Sequence, residues 1–151
     1  MMEGIAYIRG PEVTGQVRLC QTDRGVWIRA AIRGLPEDGF FGWHIHQGWA
    51  CGGPGFSAAG DHFDLEGRLH PDHAGDLPPL LSCGGRACMA VLTDRFRLRD
   101  VIGRTMVVHR RPDDLHTQPS GRSGFGGSFP RPGYKWGLIT GRFLCIMCGI
   151  M

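Results

Sequence analysis

Val13-Thr14-Gly15-Gln16-Val17-Arg18-Leu19 is followed by Thr22-Asp23-Arg24-Gly25 and then by Val26-Trp27-Ile28-Arg29-Ala30-Ala31-Ile32. Apolar residues alternate with polar or small ones on both sides of a turn containing Asp and Gly, the pattern of an antiparallel hairpin with one face buried. The same alternation recurs over residues 5–8, 41–46, 88–92 and 105–109. Gly34-Leu35-Pro36-Glu37-Asp38-Gly39 reads as a longer connection. Residues 93–101 fit either a short strand around 96–98 or a turn. The expected architecture is all-β and antiparallel.

Composition agrees. The chain has 151 residues, 42% hydrophobic and 21% charged, which fits a single domain over 1–151 with a real core. Its 25 Gly and 10 Pro suit short strands and turns and exclude a coiled coil. Seventeen Lys and Arg against 14 Asp and Glu leave a formal charge of +3. All but Lys135 of the positive residues are Arg, scattered without a dense block, which argues against a nucleic-acid partner and favours a small anionic substrate. No apolar run approaches 18 residues, so no membrane helix is expected. The start carries no basic-then-apolar leader, so a cytoplasmic location is expected. Cys20, Cys83, Cys88 and Cys148 show no metal-finger spacing and read as small buried thiols.

Two long stretches lack a strand or helix pattern, at about 47–86 and about 110–137. Loops of that length on a rigid scaffold are where chemistry is expected. Six His in or beside them stand out: His44, His46, His62, His70, His73 and His109. His44 and His46 are two apart on a strand, so both imidazoles share one face. His62, His70, His73 and Asp76 offer three imidazoles and one carboxylate, a set that suits tetrahedral zinc. His109 ends a strand and adds a further imidazole. Imidazole-rich ligation also suits Cu(II), and no thiolate belongs to the cluster. Two metals drawing on six His require one His to bridge them. The Asp113-Asp114 pair brings no nucleophile or partner carboxylate that would indicate a hydrolase.

These residues resemble the copper/zinc superoxide dismutase family, especially its bacterial type. The resemblance lies in Gly42-Trp43-His44-Ile45-His46, Gly60-Asp61-His62-Phe63 and His70-Pro71-Asp72-His73-Ala74-Gly75-Asp76. It continues through Gly103-Arg104-Thr105-Met106-Val107-Val108-His109 and Thr117-Gln118-Pro119-Ser120-Gly121. It implies an eight-stranded Greek-key β-barrel or sandwich with two long functional loops. It further implies copper on His44, His46, His62 and His109, zinc on His62, His70, His73 and Asp76, and His62 as the bridge. Asp113 would tether a copper His, His44, to a zinc His, His70. The implied reaction is conversion of superoxide to oxygen and hydrogen peroxide by copper redox cycling, with zinc structural and electrostatic.

The carboxyl-terminal segment departs from the family pattern, with an unusual stretch over 122–136. The family places a substrate-guiding Arg three residues before a Cys. Gly141-Arg142-Phe143-Leu144-Cys145 supplies both, whereas an ending matched at Cys148 leaves no Arg at that spacing; the first register is preferred. The resemblance thus implies Arg142 as anion guide and a disulfide from Cys51 to Cys145, with Cys148 as the other partner. Family members commonly dimerise, which admits a homodimer, but no decisive patch is visible. The reading from a different class is a non-catalytic metal-holding domain, in which the altered tail has cost the guiding Arg and the open copper face.

Overall fold

A computed structural model describes residues 2–10, 12–36, 38–51, 54–110, 112–116 and 135–141, with 54–56 and 135–141 through their backbone alone. The strands are β1 Glu3–Arg9, β2 Thr14–Thr22, β3 Gly25–Arg33, β4 Gly39–Phe41, β5 Trp43–His46, β6 Leu80–Ser82, β7 Arg86–Thr93, β8 Thr105–Val108 and β9 Lys135–Gly141. A 3-10 turn covers Pro54–Ala59, and a one-turn helix, α1, covers Leu98–Val101. Seven strands form one sheet in the order β5-β8-β9-β1-β2-β3-β7, and β4 and β6 form a second. Every pairing is antiparallel. No helix among the described residues is long and apolar enough to cross a membrane.

The alternation read from sequence decides which face is buried. In β3, Val26, Ile28, Ala30 and Ile32 are buried while Trp27, Arg29, Ala31 and Arg33 are exposed. Val17 and Leu19 of β2 and Ala6 and Ile8 of β1 join the same core, with Phe41, Trp43, Ile45, Phe63, Leu80 and Met106.

Four local expectations are corrected. The strand over 41–46 is interrupted at Gly42: β4 pairs with β6, β5 pairs with β8, and the Gly42 carbonyl between them accepts the N–H of His109 at 2.7 Å. The loop over 47–86 contains β6, whose three residues behind Pro78-Pro79 are too short to show a period. The ambiguous segment 93–101 ends in α1, neither strand nor plain turn. Asp100 accepts the N–H of Arg97 at 2.8 Å, and the distant Gln21 side chain accepts that of Leu98 at 2.8 Å. The thiols are not uniformly buried. Cys83 and Cys88 are exposed and Cys20 is half-buried, because Cys20 and Cys88 fall on the outward phase of their strands.

All four residues of β5 are buried. Trp43 and Ile45 belong to the core, and His44 and His46 take the other face. The loop after β5 folds back on that strand as a second partner, opposite β8. Ile45 donates its N–H to the Gly75 carbonyl at 3.0 Å, Phe63 donates to Ile45 at 2.7 Å, and Gly75 donates to Phe63 at 2.7 Å. A Cβ on Gly75 would collide with the Ile45 carbonyl oxygen and press on Phe63. Gly75→Ala is therefore expected to cost about 1–3 kcal/mol, read as a lower urea midpoint at an unchanged slope.

Candidate metal centre

The same fold-back brings the histidines together. His44 forms an isolated antiparallel bridge with Asp76, and His46 one with His62, so strand and loop deliver their side chains in register. His109 follows β8, the neighbour of β5. One donor atom from each of His44, His46, His62 and His109 lies within 4.8 Å of the others, and the same holds for His62, His70, His73 and Asp76. His62 belongs to both sets. All seven residues are buried, and His44 stacks on His62 with ring centroids 3.9 Å apart.

Hydrogen bonds fix which nitrogen of each ring carries its lone pair. Asp113 accepts from His44 Nε2 at 2.6 Å through Oδ2 and from His70 Nε2 at 2.8 Å through Oδ1. Both rings then present Nδ1 as a lone pair. His46 Nδ1 donates to the Gly60 carbonyl at 2.9 Å, leaving Nε2 as its lone pair. His44 Nδ1 and His46 Nε2 are buried without a hydrogen-bond partner among the described residues. Orphaned buried acceptors are costly, and a cation satisfies both.

In the second set, Asp76 Oδ1 lies 2.6 Å from His62 Nδ1, and Oδ2 lies 3.0 Å from His70 Nδ1 and 3.1 Å from His73 Nδ1. The lone pair of His70 Nδ1 thus faces a carboxylate oxygen, an arrangement that a shared cation stabilises. The donor types fit the metals that the resemblance implied: three imidazoles with one carboxylate for zinc, four imidazoles for Cu(II).

The electrostatics keep these groups in their ligating forms. Burial pushes His44, His46 and His62 down to about 4, against partial compensation from Asp113, Gly60 and Asp76 respectively. Burial and the neighbouring imidazoles push His109 well below the ordinary value. Burial raises the Asp76 carboxyl, but the His62 hydrogen bond and surrounding imidazoles outweigh it and hold the group at about 2. The unfolded chain therefore binds more protons than the folded one between pH 6.5 and 4. Metal-free protein is expected to lose stability steadily as pH falls through that window, measured as a falling urea midpoint.

Side chains that sequence reasoning did not single out hold the loop in place. Arg104 donates to the Gln47 carbonyl at 2.7 Å and lies 4.2 Å over the Phe63 ring. Arg95 donates to the carbonyls of Pro71 and His73 at 3.3 and 3.2 Å. Asp64 accepts the N–H groups of Glu66, Arg68 and Ala74. Burial raises its carboxyl, yet these backbone donors hold it below the usual range. Each acts on the backbone of residues distant in sequence or hidden in a loop, which no motif signals. Cys51 sits half-buried against Ala59 and Val107. Arg142, Cys145, Cys148 and most of the 122–136 stretch lie outside the described residues.

Residues 13–128 match the model of the copper/zinc superoxide dismutase family. The chain is 32% identical to Cu-Zn superoxide dismutase 2 of Aquifex aeolicus over 128 residues, covering 75% of each chain. It is 33% identical to Cu-Zn superoxide dismutase A of Xenopus laevis over 160 aligned positions, covering 99% of this chain and 98% of that one. The crystal structure of the clock protein EA4 superposes with a TM-score of 0.75 at 27% identity, over 91% of this chain and 93% of that one.

Proposed function

The chain belongs to the copper/zinc superoxide dismutase family, and from that membership we propose that it converts two superoxide anions and two protons into dioxygen and hydrogen peroxide. The observation that carries this reading is the pair of buried donor sets that share His62. His44, His46, His62 and His109 would hold copper, and His62, His70, His73 and Asp76 would hold zinc. When bound, copper supplies one-electron chemistry in both directions and zinc supplies a fixed positive charge.

The protein's own groups have separable tasks. His62, which belongs to both sets, would bridge them, and Asp76, 2.6 Å from its Nδ1, orients the ring. Its Nε2 is the atom from which a proton would reach the peroxide product. Asp113 keeps His44 and His70 in one tautomer and at one spacing. Arg142 is assigned the guidance of the anionic substrate, and Cys51 and Cys145 a disulfide between the loop and the carboxyl-terminal segment of the sequence.

The test is superoxide consumption by metal-loaded protein, with dioxygen and peroxide counted. The expected result is catalytic turnover yielding one peroxide per two superoxide, lost in His109→Ala. Tightly held metal with no turnover in the parent would favour the non-catalytic metal-holding domain instead.

A further inference from the structure

Strand register gathers onto one face arginines that are scattered in sequence. Arg9 stands opposite Thr14, Thr14 opposite Arg33, and Arg33 opposite Arg86, so a single row crossing β1, β2, β3 and β7 carries three guanidinium groups. Four residues along the strands, Arg18 stands opposite Arg29. These strands hold five Arg and one acidic residue, Glu3, at the far end of β1. Like charges directly opposed across strands are destabilising. Arg33 and Arg86 nevertheless face each other with no acidic partner among the described residues. None of these strands supplies a residue to either donor set, so the metal centre does not account for the row.

A concavity of about 780 Å³ opens at the three-arginine row. Ala31 and Cys88, with short side chains, are among its lining residues and leave it room. Two of the cations around it are held in place before any ligand arrives. Arg33 Nε donates to Thr14 Oγ1 at 3.0 Å, and the Arg9 guanidinium lies 5.7 Å over the ring of Tyr7. Such pre-orientation lowers the ordering cost of binding.

We propose that this hollow is a binding site for a compact anion carrying two or more phosphate groups, separate from the metal centre. Guanidinium forks match phosphate oxygens in pairs. Neighbouring strands lie about 4.8 Å apart, so adjacent phosphates reach Arg33 and Arg86 together while Arg9 closes the far side. An extended nucleic-acid strand would engage Arg18 and Arg29 as well. That pair stands about 13 Å along the strands from the row, by the rise per residue, and outside the hollow.

Cys88 is an exposed thiol within the hollow, and Cys20, six residues beyond Thr14 on β2, serves as the control. The experiment measures alkylation of both cysteines by peptide mass spectrometry on metal-loaded protein titrated with inorganic triphosphate. The expected result is slower alkylation of Cys88 with Cys20 unchanged. The half-effect concentration should rise roughly tenfold or more in Arg33→Gln and in Arg86→Gln, the loss of one charge-assisted contact. It should stay unchanged in Arg18→Gln. Arg33→Lys, which keeps the charge without the fork, should fall between parent and Arg33→Gln. Triphosphate acting by metal removal would not depend on Arg33 and would not shield Cys88. Unshielded Cys88, or shielding indifferent to Arg33→Gln, would overturn the proposal. Shielding by a single-stranded oligonucleotide but not by triphosphate, lost in Arg18→Gln, would overturn it in favour of an extended polyanion face.

Discussion

Asp113→Ala is expected to weaken metal binding at both donor sets, by roughly 10–100-fold, while leaving the strands paired. The carboxylate is almost fully buried, and its two oxygens take the Nε2 hydrogens of His44 and His70 at 2.6 and 2.8 Å. Those rings belong to different sets, so one substitution releases a ligand from each. Each freed ring gains a choice of tautomer and rotation, and half of its tautomers point a hydrogen where a lone pair is required. Asp113→Asn is the sharper control, since its single carbonyl oxygen accepts from one imidazole and its amide group opposes the other. Competition against a chelator, carried out separately for zinc and copper, measures the effect. Parent-like affinity in Asp113→Asn would show that the two-acceptor geometry is not what matters.

Phe63→Ala carries the largest expected loss of stability, about 3–5 kcal/mol. A typical domain has only about 5–15 kcal/mol in all. The Phe63 ring is 1% exposed, meets Phe96 edge-on with centroids 6.4 Å apart, and lies beneath the Arg104 guanidinium. Its backbone holds both Ile45 and Gly75, so the metal loop is anchored to the core one residue away from the shared ligand His62. The loss should appear in the denaturant midpoint of metal-free protein. Phe40→Ala, at an exposed position on β4, should stay within about 0.5 kcal/mol.

The parts legible in the sequence are those in which one chain segment carries its own pattern. Period-two alternation marked β2 and β3: β3 alternates buried and exposed residues from Val26 to Arg33, and β2 buries Val17 and Leu19 on either side of exposed Arg18. His44 and His46 were legible as a pair because two-residue spacing on a strand sets a common face. His62, His70, His73 and Asp76 stood out as residue types concentrated in a loop. What escaped depends on contacts between distant segments. The helix α1 relies on Gln21 for one of its caps, and β6 exists because β4 pairs with it. Gly75 and Arg104 matter through carbonyl oxygens and a ring that only the folded loop brings near. The arginine row is a product of register: Arg9, Arg33 and Arg86 lie far apart in sequence and become neighbours only when β1, β2, β3 and β7 align.

If two metal sites work together through the His62 imidazole, native mass spectrometry of protein reconstituted with copper and zinc will show one copper and one zinc on the same chain, and His62→Ala will lose the species that carries both. Chains that carry either metal but never both, or a doubly loaded species unaffected by His62→Ala, would show that the two donor sets do not share a ligand.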